Sequence, residues 1–221
     1  MLGEGEYYHV MNRGAHKHGV AKEKTDWQRL LFYLVYFQSP HQFKNSFRIA
    51  NAYSPLDGFP VPEDDVTAVQ QDRNVELVCF CLMSNHLHLL LKEKAEGGIG
   101  KYMHRVELAY TKYFNTKYES SGHLFQGRYK AVHVKDNRQL LYLSAYIHRN
   151  PREIKEWAGK EDAYPWSSLQ DYVTANRWGG LLATDIIADQ FAATPNSNYA
   201  DFVKTSTAKI LREELEGFML P

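Results

Sequence analysis

The sequence is poor in cysteine, in long apolar runs and in net charge, and each shortage excludes a class of protein. Cys79 and Cys81 are its only cysteines, which argues against a disulfide scaffold and indicates a reducing compartment. No apolar run approaches the roughly 20 residues that cross a bilayer, so we expect no membrane partner. The opening residues, MLGEGEYYHV, lack a signal-peptide pattern. We therefore expect a cytoplasmic protein.

The formal net charge of zero conceals an uneven distribution of charge. The net charge is −2 over residues 1–100, +7 over 101–155 and −5 over 156–221. A basic segment predicts a polyanionic partner, although a solvated basic helix face explains the same count. The acidic tail suggests a further hypothesis, in which it covers the basic segment and restrains binding.

The apolar patterns predict an α+β fold. Strands are expected at 6–12, 75–83, 86–92 and 124–134, and helices at 26–38, 97–118 and 137–150, with Asp26 as the N-cap of the first helix. The order β-α-β-β-α-β is that of the ferredoxin-like split βαβ fold, with a central antiparallel sheet. Residues 39–74 are rich in proline and predict a long inserted loop with one short helix at 64–71.

After Pro151 the pattern weakens. The stretch YPWSSLQDY at 164–172 looks like a packed aromatic segment, and weak helices are expected at 185–192 and 199–218. We therefore predict a functional domain over 1–175 and an accessory, helical C-terminal tail over 176–221.

Two histidines lie two residues apart in SNHLHLLLKE, at 84–93. In a strand, His86 and His88 point to one face and the intervening leucines point to the other. The leucines favour the core, so the imidazoles project together, as two metal ligands would. The alternatives are ordinary polar residues on a half-exposed strand, or a zinc site completed by the two cysteines.

The helix predicted at 137–150 has a second unusual stripe. Tyr142, Tyr146, Arg149 and Asn150 share one face at helical spacing. A carboxamide oxygen is a good ligand for a hard cation, and a phenol can act as a nucleophile. The alternative is that both tyrosines pack against the core with solvated hydroxyls.

Five segments occur in a specific order over residues 6–175. They are YYHVMNRG at 7–14, CLMSNHLHLLL at 81–91, SGHLFQGRYK at 121–130, YIHRNP at 146–151 and YPWSSLQDY at 164–172. Together they resemble the single-tyrosine HUH transposases and, within them, the REP-associated tyrosine transposases. The loop at 39–74 and the long tail depart from the pattern of that family.

The resemblance implies a role for each motif residue. His86 and His88 correspond to the HUH motif, Tyr146 in its Tyr-Ile-x-x-Asn-Pro context to the nucleophile, and Asn150 to a third metal ligand. The implied cofactor is Mg²⁺ or Mn²⁺, and the implied substrate is single-stranded DNA with a nearby hairpin, such as a REP-like repeat. Attack would leave a covalent 5′-phosphotyrosine and a free 3′-hydroxyl, from which strands can be rejoined. A monomer or homodimer, associated with the nucleoid, is expected.

DNA contacts are expected from basic and polar residues around these motifs: Asn12, Arg13, Lys101, Arg105, Lys112, Arg128, Lys130 and Arg149. Plain surface roles explain the same residues. Tyr110, Tyr113 and Tyr142 compete with Tyr146 as nucleophiles by residue type, but none has an asparagine and a proline at the same spacing.

Two other functions remain as alternatives to a DNA strand transferase. One is a protein that binds repeat DNA without catalysis, against which the complete set of motif residues argues. The other is a metal-dependent phosphohydrolase that uses water and leaves no covalent adduct.

Overall fold

A four-stranded antiparallel sheet forms the centre of the protein in a computed structural model that describes residues 2–192, 198–207, 210, 211, 213 and 215. Its strands are β1 (Tyr7–Arg13), β2 (Val75–Met83), β3 (His86–Glu93) and β4 (Lys130–His133), in the spatial order β2-β3-β1-β4. Each neighbouring pair is antiparallel. This arrangement is the ferredoxin-like one, so the predicted α+β fold class is confirmed.

Helices cover both faces of the sheet. Helices α1 (Lys24–Tyr36) and α4 (Gly98–Lys117) pack on one face, and α5 (Asn137–Arg149) packs on the other. The β3 leucines at 87, 89 and 91 face α1 and α4, as strand alternation predicted. The opposite face is not half exposed, however: His86 is 9% exposed and His88 is 1% exposed. The two histidines therefore lie in the interface between sheet and α5.

The start of α1 differs from the prediction that Asp26 is its N-cap. Glu23 is the N-cap, and Asp26 occupies the third helical position of a capping box. The Asp26 carboxylate accepts hydrogen bonds from the backbone N–H groups of Lys22 and Glu23. It therefore satisfies donors ahead of the helix, which is the role of an acidic residue at that position.

Strand β4 is shorter than the predicted strand at 124–134. Gly127 has a φ of +94°, which lies outside the dihedral range of a regular β-strand. Phe125 makes only an isolated bridge to Gly14, and regular pairing begins at Lys130. The segment at 124–129 is therefore an irregular approach to the edge strand.

The inserted segment contains two helices, α2 (Ser46–Asn51) and α3 (Glu63–Gln71), of which only α3 was predicted. Helix α2 is too short to be stable by itself. It is fixed by the buried Arg29 of α1, whose guanidinium donates to the carbonyl oxygens of Ser46 and Phe47 at 3.3 and 3.2 Å. A tertiary contact, and not local sequence, therefore determines this helix.

The C-terminal part adds α6 (Leu169–Val173), α7 (Asp185–Ala192) and α8 (Tyr199–Thr205) on the same side of the sheet as α5. The predicted helix at 185–192 is confirmed. A second helix was predicted at 199–218, and the structure has a regular helix over its first part, which ends at Thr205. Residues 208, 209, 212, 214 and 216–218 of that prediction lie outside the described part. The start of the tail, at Trp178, Leu181 and Leu182, joins the core on the α1 and α4 face of the sheet, whereas α7 and α8 pack on the α5 face. No described helix has the length and apolarity needed to span a bilayer.

Candidate active site

The histidine pair is positioned by the pairing of β1 with β3. His88 lies opposite Met11 and His86 lies opposite Arg13, and both imidazoles point toward α5. His88 Nδ1 lies 2.9 Å from His9 Nε2 on the adjacent strand. His86 Nδ1 lies 2.7 Å from the Asn85 side-chain oxygen in the hairpin turn. Each ring is thus oriented through its Nδ1 atom.

Burial keeps both imidazoles neutral. It lowers the pKa of His88 well below its usual value, and the closeness of His9, His86 and Arg13 further disfavours a positive charge on the ring. Burial also lowers the pKa of His86, and the charge of Arg13 acts in the same direction, whereas a hydrogen bond with the Asn150 side chain raises it. A neutral imidazole retains the lone pair that a metal ligand needs.

The end of α5 brings the other two motif residues to the histidines. The Tyr146 ring packs edge-on at 5.4 Å from the His88 ring and 6.0 Å from the His9 ring, between centroids. Asn150 is buried, and its amide nitrogen donates to the Tyr146 carbonyl oxygen at 2.8 Å. With the nitrogen used in this way, the carboxamide oxygen is the atom that faces His86, with which Asn150 forms its side-chain hydrogen bond.

A divalent cation fits this arrangement. His88 Nε2 is buried and has no hydrogen-bond partner among the described residues, although such an atom is costly to leave unsatisfied. Two imidazole nitrogens and one carboxamide oxygen form a neutral donor set. No group of three or more His, Cys, Asp or Glu in the described residues is arranged to hold a metal, so the zinc alternative finds no support. Burial also raises the pKa of Cys79 and Cys81, which disfavours the thiolates that zinc requires.

His86, His88, Tyr146 and Asn150 all lie in a segment of the chain that matches a known family. Residues 63–150 match the model of the family "Transposase IS200 like". The match spans β2, β3, α4, β4 and α5. It confirms the resemblance to transposases and supports a DNA-processing function of the transposase type.

The whole fold is also similar to a solved structure, that of a REP-associated tyrosine transposase bound to a REP hairpin. The two share 12% sequence identity, and the alignment covers 90% of this chain and 93% of the other with a TM-score of 0.53. At this identity the similarity shows the fold, so the predicted HUH transposase fold is confirmed. No curated protein matches the chain in sequence.

Among the tyrosines proposed for the transposase chemistry, the structure brings Tyr146 to the histidines. Tyr110 is buried on the opposite face of the sheet and donates to the Val20 carbonyl oxygen. Tyr113 donates to Asp26 at 2.9 Å. Tyr142, one turn before Tyr146, packs against Phe202 of α8. These three are therefore placed for packing within the fold.

Two of the residues predicted to contact DNA lie on the histidine face of the sheet. Arg13 is adjacent to His86 across the β1–β3 pair, and its charge acts on both histidines. Lys130 is exposed and pairs with Met11, which lies on the same face. Arg128 is exposed in the irregular segment just before β4.

The remaining predicted contacts lie elsewhere. Lys101 and Lys112 are exposed on α4, on the other face of the sheet. The Arg105 guanidinium donates to the carbonyl oxygens of Ser39 and His41. These residues do not form one surface with the histidines, and their roles in DNA binding stay predictions.

Asn12 and Arg149 are also engaged within the fold. Asn12 is 6% exposed and points toward α4, where its amide donates to Glu107 at 2.7 Å and to the Gly127 carbonyl oxygen at 3.2 Å. Arg149 donates to two backbone carbonyl oxygens of the tail. Their side chains are thus used in tertiary contacts.

Sequence reasoning missed His9, which orients His88 and contacts Tyr146. The available signal was strand alternation in YYHVMNR, which places His9 on the same face as Arg13. It also missed Glu107, whose pKa is raised to about 7 by burial, against the lowering effect of its hydrogen bond from Asn12. No local pattern distinguishes Glu107 from a surface residue of α4.

Proposed function

We propose that this protein is a single-stranded DNA endonuclease and strand transferase with Tyr146 as its nucleophile. The observation that carries the proposal is the convergence of Tyr146 with the buried histidine pair, in which His88 Nε2 has no partner among the described residues. The match to the IS200-like transposase family supports the reaction class.

His86, His88 and Asn150 would hold the proposed Mg²⁺ or Mn²⁺. The bound cation would polarise a phosphoryl oxygen of the scissile phosphate. Because these three side chains are neutral, they leave the charge of the cation available to the substrate. The hydrogen bond between His9 Nε2 and His88 Nδ1 fixes the orientation of the His88 ring. Histidines that bind a metal through one ring nitrogen are usually oriented by a hydrogen bond at the other.

The Tyr146 hydroxyl oxygen would attack the phosphorus atom. A bond forms between that oxygen and phosphorus, the bond from phosphorus to the 3′-oxygen breaks, the phenol loses its proton and the 3′-oxygen gains one. The product is a 5′-phosphotyrosine and a free 3′-hydroxyl. Attack by another 3′-hydroxyl reverses the step and joins strands without an added energy source. Arg13, which lies opposite His86 across the β1–β3 pair, would contact the phosphate.

The proposed substrate is single-stranded DNA beside a hairpin. The solved structure with a similar fold is described as bound to a REP hairpin, and by analogy we propose a REP-like hairpin here. Its stem would contact the exposed Lys101 and Lys112, while Lys130 and Arg128 would guide the single strand toward Tyr146. A monomer or homodimer would act in the cytoplasm, at the nucleoid.

The test is formation of a denaturant-resistant protein–DNA adduct with Mg²⁺ or Mn²⁺. The substrates are single-stranded oligonucleotides from the DNA that flanks the gene, with any hairpins included. Tyr142→Phe is the matched control for Tyr146→Phe, because it removes the same atom one turn earlier on the same helix. We expect the wild-type protein and Tyr142→Phe to form the adduct and Tyr146→Phe to form none.

Other results would favour the alternatives. Binding of hairpin DNA without adduct or cleavage across all substrates would favour a binding protein without catalysis. Cleavage without adduct would indicate hydrolysis by water. An adduct that persists in Tyr146→Phe but is lost in Tyr142→Phe would move the nucleophile.

A further inference from the structure

Helix α5 is attached to the rest of the fold by a buried series of hydrogen bonds, which we call the Tyr199 network. His148 of α5 lies 2.8 Å from the Ser168 hydroxyl through Nε2 and 2.7 Å from the Tyr199 hydroxyl through Nδ1. Tyr199 donates to the Ser144 hydroxyl at 2.9 Å, and Ser144 donates to the Leu141 carbonyl oxygen at 2.7 Å. The network joins α5 to the aromatic segment and to α8.

The donor and the acceptor of each hydrogen bond in the Tyr199 network can be assigned. Because the Tyr199 hydroxyl proton goes to Ser144, its oxygen must accept from His148 Nδ1–H. A neutral His148 ring then accepts at Nε2 from the Ser168 hydroxyl. Ser168 in turn accepts from the backbone N–H of Phe80 in β2 at 2.8 Å. The series therefore extends from β2 to α5, and each of its hydroxyl groups accepts one hydrogen bond and donates another.

A second set of contacts joins the end of α5 to the tail. The Arg149 guanidinium donates to the carbonyl oxygens of Val203 and Lys204 at 2.7 and 2.9 Å, at the end of α8. The Tyr142 ring packs against Phe202 at 5.3 Å between centroids. The tail thus contacts α5 at positions four residues before and three residues after Tyr146.

We propose that Tyr199 and Arg149 are positioning residues for the reaction. They fix the register and rotation of α5, and with them the distances from Tyr146 and Asn150 to the histidines on the sheet. The tail is then a required part of the catalytic unit and not an accessory. This inference rests on the proposed function, because positioning has a meaning only if Tyr146 reacts.

The first experiment is amide hydrogen exchange on the full-length protein without DNA. Tyr199→Phe deletes one buried hydroxyl and leaves His148 and Ser144 without that partner, so we expect exchange in residues 144–150 to accelerate about tenfold or more. Tyr102→Phe is the matched control. It deletes an equally buried hydroxyl, which donates to the Leu34 carbonyl oxygen on the other side of the sheet. Exchange in α5 should be unchanged there.

The second experiment separates binding from the reaction step, with Arg149→Met as a further variant that keeps length and removes the donor. In Tyr199→Phe and Arg149→Met, we expect the single-turnover cleavage rate at saturating hairpin DNA to fall about 10- to 100-fold. The Kd for that DNA should change less than about twofold. Arg149 is only partly buried, so we expect Arg149→Met to fold. It therefore tests the proposal even if Tyr199→Phe does not fold.

Equal α5 exchange in Tyr199→Phe, Arg149→Met and Tyr102→Phe would overturn the proposal. So would a loss of DNA affinity in Arg149→Met with an unchanged cleavage rate, which would make Arg149 a DNA contact. Absence of cleavage in every protein, wild type included, would contradict the proposed function alone, and the exchange pattern would still decide whether the tail fixes α5.

Discussion

Replacement of Glu107 by glutamine should stabilise the protein at alkaline pH and have little effect in acid. The Glu107 carboxyl is partly buried between α4 and the irregular segment before β4, and this burial raises its pKa to about 7 from 4.5. Above about pH 4.5 the unfolded chain releases this proton, whereas the folded protein keeps it until about pH 7. The folded state then binds more protons, so its stability falls as pH rises through this window.

The size of the effect follows from the pKa shift. A shift from 4.5 to about 7 corresponds to at most about 3 kcal/mol of lost stability at pH 8. Partial solvent access reduces this, and we expect about 2 kcal/mol. Glutamine removes the charge but keeps an oxygen that accepts from Asn12, whose amide donates to Glu107 at 2.7 Å. Glu107→Gln should therefore gain about 2 kcal/mol at pH 8 and less than about 0.5 kcal/mol at pH 4.5.

The assay is urea unfolding of wild type and Glu107→Gln at both pH values, with equal ionic strength. Glu119→Gln is the matched control, because Glu119 is an exposed glutamate just after the same helix. If the free energies of unfolding of wild type and Glu107→Gln differ by the same amount at pH 4.5 and pH 8, the Glu107 carboxylate does not destabilise the folded protein.

Three further predictions test other parts of the structure. His9→Ala should weaken Mn²⁺ binding about 10- to 100-fold, because His88 loses the partner that orients its ring; equal affinity in a direct Mn²⁺ titration would count against the site. Asp171→Ala should lower the free energy of unfolding by about 3–5 kcal/mol, since it strips the buried Arg177 of its ion pair; a loss below about 1 kcal/mol in urea would disagree. Gly98→Ala should also destabilise, because a Cβ there would collide with a backbone carbonyl of the segment before β2; an unchanged Tm would contradict this.

Local periodicity accounts for the parts of the fold and site that could be predicted. The β2–β3 hairpin follows from two apolar runs around Ser84 and Asn85, and the shared direction of His86 and His88 follows from strand alternation. The placement of Asn150 one turn after Tyr146 follows from helical spacing. These features depend on neighbours within a few residues, so the sequence contains them directly.

Contacts between distant segments account for what could not be predicted. His9 meets His88 only because β1 pairs with β3 in one register, across 79 residues of chain. Arg105 and Arg149 stay predicted DNA contacts, but the sequence did not show that their guanidinium groups donate to backbone carbonyls of remote segments. Such acceptors have no signature in the sequence, since every residue has a carbonyl.

The most direct test of the central claim is to locate the covalent bond. Wild-type protein would be reacted with cleavable single-stranded DNA and divalent metal, denatured, digested with nuclease and protease, and analysed by mass spectrometry. We expect a nucleotide attached to Tyr146 through a 5′-phosphate, within the peptide that contains the end of α5. A nucleotide attached to any other residue, or cleaved DNA with no modified peptide, would contradict it.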